Sequence, residues 1–322
     1  MALSPDALFR RTWAVRVQFT DTEALLLEAL DIEFKILRSL KPAPNRAVVT
    51  LWNLNPEHRG QILKRYRPGG QTGPTKPIYV QVEAGYQGRN QTLLSADMRE
   101  AASRRDGNDW KTMLSMDDGG EAVRAARFPN GGMQVAKGSP IGAVLRQACN
   151  ALGVGLGNAG NFEATADIYG WNKTLPHGMT LKGSAFDGLK RVTDSIGITF
   201  SIQGGVLQLL PKGKAIGQDA ILLTPDTGLL DSPEAAMDAS VPLGFAKEAT
   251  GKPSTPKPPT PKNTAILKAK AILIPGLVPG RVVRLETDAY KGNYEISEVE
   301  YVGQSFGKDW MAVMVLRSYV TA

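Results

Sequence analysis

Two short motifs have the spacing that some enzymes use for chemistry. Gly155, Gly157 and Gly160 form a literal G-x-G-x-x-G. In a dinucleotide site that loop follows a strand and opens a helix, so that helix amides meet a pyrophosphate. Here a helical pattern precedes the loop and no apolar-periodic helix is expected after it. The reading is therefore a flexible helix-ending loop. Ser305 and Lys308 form S-x-x-K, the spacing of a serine nucleophile and its lysine. The companion motifs S-D-N and K-T-G are absent, and the flanks read as a hairpin turn.

The remaining reactive residues are isolated. His58 and His177 are the only histidines, and neither has a ligand cluster nearby. His58 reads as a helix-start surface residue and His177 as part of a turn. Cys149 lies beside the apolar stripe of a predicted helix and is expected in a core. Asp117, Asp118, Gly119 and Gly120 read as a turn. Carboxylates are plentiful, and only geometry would reveal an acid/base pair among them. The sequons at Asn90 and Asn172 signify little without export. No catalytic, cofactor-binding or metal-ligating set is expected, and no cofactor.

Composition bounds the class. The 322 residues are 42% hydrophobic and 21% charged, which suits a globular chain with ample core. No apolar run is long enough to span a membrane, and the N-terminus lacks the apolar stretch of a signal peptide. A single cysteine excludes an internal disulfide framework, so synthesis in a reducing cytoplasm is expected. The net charge is +7, but residues 247–263 hold four lysines against one glutamate. That segment reads as a solvated Pro/Lys-rich linker, prone to proteolysis, and no specific nucleic-acid site is expected.

The positioning elements are mostly strands. Period-2 alternation marks 12–20 and 31–37. Residues 46–54 are apolar on both faces, so both are expected to be covered. Asn55 suits a helix N-cap and Pro56 the first helical position, with Ile62, Leu63 and Tyr66 on the apolar side and Pro68-Gly69-Gly70 as the stop. Strand patterns follow at 77–86, 92–102 and 110–116, the last two flanking a hairpin turn at 106–109. Six strands and one helix favour a small barrel or sandwich.

The middle changes character. Ser139-Pro140 is expected to cap a helix with Ile141, Val144, Leu145, Ala148 and Leu152 on one stripe. Ser184 caps another, with Asp187 at its third position, before a strand–turn–strand over 198–210. Further strands are expected at 265–274, 281–287, 294–301 and 310–319.

Four stretches, in order, resemble the baseplate hub proteins of contractile-tailed bacteriophages, the late control protein D-like adaptors. They are LKPAPNRAVVTLWNLNPEHRGQI, GSPIGAVLRQACNAL, LKGSAFDGLKRVTDSIGITFSIQGGVLQLLP, and the C-terminal run from ILIPGLVPG to MVLRS; LTPDTGLLDSPE also fits. The Pro/Lys-rich segment 247–263 departs from the pattern. The resemblance implies a mainly β fold with an α+β insertion: a β-barrel domain over 1–120, an α+β module over 121–215, and a second barrel region over 216–322 interrupted by 247–263. It implies a homotrimer that adapts a sixfold tail tube to a threefold central spike. Its partners would be itself, the tube protein, the spike, the tape measure protein and other baseplate proteins. The chain would then be a structural virion component of the tail baseplate, not an enzyme, assembled in the host cytoplasm without membrane insertion. The alternative reading is a tail-associated cell-wall hydrolase or peptidoglycan-binding module. Arg16, Gln18 and Lys35, on the polar faces of early strands, are expected to face a lumen or solvent.

Overall fold

The computed structural model describes residues 10–65, 78–129, 131–210, 220–237 and 265–318. Tyr66, the Pro68–Gly70 stop and the 247–263 segment lie outside the described residues. The first part contains β1 (Arg11–Gln18), β2 (Ala24–Leu27), β3 (Ile32–Ser39), β4 (Asn45–Trp52), α1 (Pro56–Arg65), β5 (Tyr79–Tyr86), β6 (Gln91–Asp106) and β7 (Asp109–Asp118). The middle holds α2 (Gly120–Ala125), β8 (Met133–Val135), α3 (Ile141–Leu152), β9 (Gly155–Leu156), α4 (Phe162–Tyr169), β10 (Met179–Leu181), α5 (Ala185–Ser195), β11 (Thr199–Gln203) and β12 (Val206–Leu210). The last part adds β13 (Ile221–Leu223), β14 (Glu234–Met237), β15 (Ala265–Ile272), β16 (Val282–Glu286), β17 (Lys291–Gln304) and β18 (Trp310–Ser318). The protein is mainly β, with five α-helices among the described residues.

Thirteen strands join one sheet in the order β14-β15-β18-β17-β3-β4-β7-β6-β5-β1-β2, with β16 on β17 and β13 parallel to β16. The 14-residue β17 is the shared member. Its first half pairs with β16 and its second half with β3, while β18 follows it on the other side. A register shift between Ile296 and Glu298 marks the change-over.

The ladder curls twice but, among the described residues, no strand pair closes either curl, contrary to the expectation of two barrels closed by their strands. Other groups bridge the gaps. In the first curl, β17 ends at Gln304 and turns into a hairpin tip opposite β1. The Arg11 guanidinium donates to the carbonyls of Gln304 (2.8 Å), Gly307 (2.7 Å) and Lys308 (3.3 Å). The Trp310 indole donates to the Gly85 carbonyl on β5 at 3.2 Å and meets Phe34 edge-on at 5.4 Å between ring centroids. Gly303 must lack a side chain here, because a methyl group would collide with the Phe34 ring. In the second curl, the turn after β13 returns to β15: Ile272 donates its amide to Gly228 and Leu230 donates to Lys270, each at 2.8 Å.

One apolar core runs through both curls, from Val15, Val49 and Leu114 to Leu285, Tyr301 and Met314. A second core, with Val144, Leu145, Leu189, Phe200 and Leu207, belongs to the middle module. The Asn55 side chain caps α1 by accepting from the Glu57 and His58 amides at 2.7 and 3.3 Å. Ser184 accepts from Asp187 as expected. Ser139 does not cap α3: Pro140 holds the N-cap position and no side chain caps that end.

α1 buries Ile62 in the first core and lies against β6. It leaves the outer face of β4 open, so Val48 stays 41% exposed. The expectation that both faces of this strand are covered is corrected on that point. Arg16 and Lys35 are exposed and Gln18 is half-exposed.

Candidate functional site

The structure keeps the reactive residues apart. Gly157 packs against β12, where a methyl group would lie 2.6 Å from the Leu207 carbonyl. Asn158 clasps Leu209 in both directions, donating to its carbonyl at 2.8 Å and accepting its amide at 2.6 Å. A helix, α4, does follow this loop after a single 3-10 turn, against the sequence reading. The glycines nevertheless serve close packing on the chain's own strand. Ser305 Oγ accepts the Ile32 amide at 3.0 Å and lies 3.4 Å from Asp31 in the β17–β18 tip. His58 is half-buried at the start of α1, and His177 is exposed in a bend. Cys149 is fully buried, and burial pushes its thiol up to about 12. Among the described residues, no three His, Cys, Asp or Glu side chains gather as a cation site.

What the chain does assemble is a polar joint between module and sheet. β7 runs through Asp117 and Asp118, so these residues end a strand; the turn is at Gly119, where φ is 69°. Alternation sends the two carboxylates to opposite sides. Asp117 meets Arg124 at 2.7 Å, Arg99 at 3.2 Å and Arg46 at 3.8 Å. Asp118 accepts the Gly204 and Gly205 amides at 2.6 and 2.8 Å and the Asn45 amide at 3.2 Å. Both glycines have positive φ, as the two-residue turn between β11 and β12 requires.

The same turn is held from the other side. Asn45 also donates to the Ile202 carbonyl and to Gln203, each at 3.0 Å. Arg38 grips Gln203 Oε1 with two nitrogens, at 2.9 and 3.2 Å. Burial raises the Asp118 carboxyl, against the pull of these donors. Asn45 and Asp118 were not singled out as functional in the sequence; Asn45's place after a rigid Pro-x-Pro was the available signal.

A second buried carboxylate, Glu295, sits on β17 opposite Arg317. Burial pushes it up to about 7, with Arg317 opposing the shift. Its folded value lies above the ordinary 4.5. The chain is therefore most stable below pH 4.5 with respect to this group, and that stability is lost as pH rises through 7. Glu295→Gln is expected to melt like the wild type near pH 4 and to be more stable at pH 8, by up to about 3 kcal/mol. Thermal melts across that range check this; a parallel pH dependence in the two proteins would refute it.

Exposed apolar side chains form the other notable feature. Leu37, Val48 and Met113 project from the outer face of three adjacent strands, β3, β4 and β7. Phe306, in the β17–β18 tip, meets Trp52 edge-on at 6.1 Å between ring centroids. Leu222 and Leu230 line a separate groove of about 590 Å³ next to the second curl.

This architecture is that of known tail proteins. The chain is similar to the 43 kDa tail protein of prophage MuSo2 from Shewanella oneidensis, with 9% identity over 95% of this chain and 98% of that one, at a TM-score of 0.60. It is similar to the Escherichia coli protein c3393, with 10% identity over 95% of this chain and 77% of the other, at 0.56. That protein is a component of the type VI secretion system with structural similarity to the T4 tail proteins gp27 and gp5. A chain of the half-lidded Francisella PdpA–VgrG complex matches at 8% identity over 96% of this chain and 58% of its own length, at 0.56. No family model matches the sequence, and no curated protein does. The fold is thus one shared by phage tail proteins and type VI secretion proteins.

Proposed function

We propose that this chain is the structural baseplate hub of a contractile phage tail. In this reading three copies form a ring that adapts the sixfold tail tube to the threefold central spike. The observation that carries it is the pair of barrel-like curls built on one shared strand, in a fold matched over almost the whole chain by tail proteins. Two such units per chain place six around a threefold axis, and a closed ring of equivalent faces is what a sixfold tube can seat on. The division proposed is 1–120, 121–215 and 216–322, with β17 of the last part also completing the first curl and the middle module held at the Asp118 joint. A protein partner on the tail axis accords with the match to a chain of the PdpA–VgrG complex.

The role is non-enzymatic. The Ser305 hydroxyl and the Cys149 thiol are engaged in packing and hydrogen bonding, and the Asp118 carboxylate holds a turn. The test is electron microscopy of tails carrying a labelled copy of the chain, with a peptidoglycan zymogram of the purified protein. Density on the axis between tube and spike, and no clearing of the gel, are expected. Absence from that axis ends the hub reading. Clearing that one carboxylate substitution abolishes would replace it with the hydrolase reading.

A further inference from the structure

The large sheet ends at β2, and β2 pairs with β1 alone. The ladder fixes which of its backbone groups are already bonded. Phe19 donates its amide to Glu23 at 2.9 Å, and the register carries that bonded pattern to Val17 with Leu25 and to Val15 with Leu27. The other edge of β1 agrees. Gln87 donates to Arg10 at 2.9 Å, which assigns Arg16 and Gln18 to bonding with β5. Ala24 and Leu26 therefore turn both amide and carbonyl away from β1. Both residues are exposed, Leu26 by 48%.

Proteins usually blunt such an edge with a lysine, a proline or a bulge. β2 reads Ala-Leu-Leu-Leu in unbroken register with β1 and has none of these; only its shortness protects it. Backbone donors and acceptors at this spacing are matched by another strand. Leu25 and Leu27 pack on the first core. Side chains of an added strand that fall beside them extend that core and are apolar, while the alternate ones, beside Leu26, meet solvent.

Charge narrows the occupant further. Between residues 17 and 34 lie Asp21, Glu23, Glu28, Asp31 and Glu33, with no lysine, arginine or histidine. Glu23 and Glu28 bracket β2 and are exposed. Arg16, opposite Leu26 on β1, offsets one of these carboxylates. A second β2 laid antiparallel on the first would bring Glu28 of each copy alongside Glu23 of the other, so like charges oppose self-pairing. The terminal strand at the far end of the sheet, β14, reads Glu-Ala-Ala-Met and brings no cation either. The same carboxylates repel a nucleic acid. We infer that the β2 edge receives an extended strand of a partner protein, apolar at alternate residues and basic at its ends.

The test uses the full chain and a labelled synthetic peptide, KKVTVTVKK, followed by fluorescence anisotropy. A peptide with the same core but glutamates at its ends, and one N-methylated through its five central residues, are each expected to bind about tenfold more weakly. Leu26→Pro removes an amide that points away from β1, so it spares the β1–β2 bonds and leaves every charge in place. It is expected to bind KKVTVTVKK about tenfold more weakly, whereas a merely electrostatic attraction would be unchanged. Amide exchange of the wild type, read by NMR, is independent of how the variant folds. Added peptide is expected to slow exchange at Ala24 and Leu26 and to leave Leu25 and Leu27, already bonded to β1, as they were. Equal binding of the N-methylated peptide, full binding by a folded Leu26→Pro chain, or unchanged exchange at Ala24 and Leu26 overturns the inference. Protection of those two amides by rising protein concentration alone would make the occupant a second copy and overturn it as well. A chain that lies on the tail axis with a bare β2 edge leaves the hub reading intact.

Discussion

Trp310→Ala is expected to lower folding stability by about 3–5 kcal/mol, the usual cost of emptying a large aromatic site in a core. The side chain is 4% exposed. It does two jobs at the seam of the first curl: its ring packs on Phe34, and its indole nitrogen supplies the Gly85 carbonyl with a donor. Arg11 adds its guanidinium 5.4 Å from the ring centroid, so the mutation also unseats the group that holds β1 to the hairpin tip. Trp310→Phe separates the two effects. It keeps most of the packing and loses the hydrogen bond, and it is expected to cost about 1–3 kcal/mol. Urea denaturation measures both, and amide exchange in β1 and β5 should quicken in the alanine variant. A loss below about 1 kcal/mol for alanine would mean that the seam is held by something else.

Asp118→Ala is expected to cost about 3 kcal/mol, with the damage concentrated at the joint. The substitution strips the acceptor from the Gly204 and Gly205 amides and from the Asn45 side chain. Donors left unmatched in a buried site each cost about 1–3 kcal/mol, and relief of a buried charge returns part of the total. Asp118→Asn preserves shape but turns an amino group toward one of the two amide donors, so it should fall between wild type and alanine. Hydrogen exchange reads the location: faster exchange over 199–210 with β15, β17 and β18 unchanged. Uniform acceleration across the whole sheet would show that the joint and the sheet melt as one unit.

Local chemistry made part of this fold legible. Asn55 and Pro56 announce a helix start because a cap is decided by neighbours within three residues, and Ser184 with Asp187 does so for the same reason. The β6–β7 hairpin follows from alternation around Gly107. The missed elements have weak local signals. β2 is only four residues long, and α4 covers eight, burying small or polar side chains such as Ala166 and Thr165 besides Phe162.

The joint was not legible for a different reason. Asp118 meets partners 73, 86 and 87 positions away, and no spacing rule reaches that far. Val48 carried a different ambiguity. A strand apolar on both faces shows the same pattern whether its second face is covered or, as at Val48, left open.

The sharing of β17 by both curls has a consequence during synthesis. β3 pairs with β4 early, but its other edge waits for residues 298–304, and Arg11 waits for carbonyl groups up to 297 positions downstream. The first curl therefore cannot be completed on the ribosome until β17 and the tip at Lys308 have been made. Such long-range pairing is slow to form. Until then the nascent β3 keeps an open edge, and a message cut short before β17 yields neither curl.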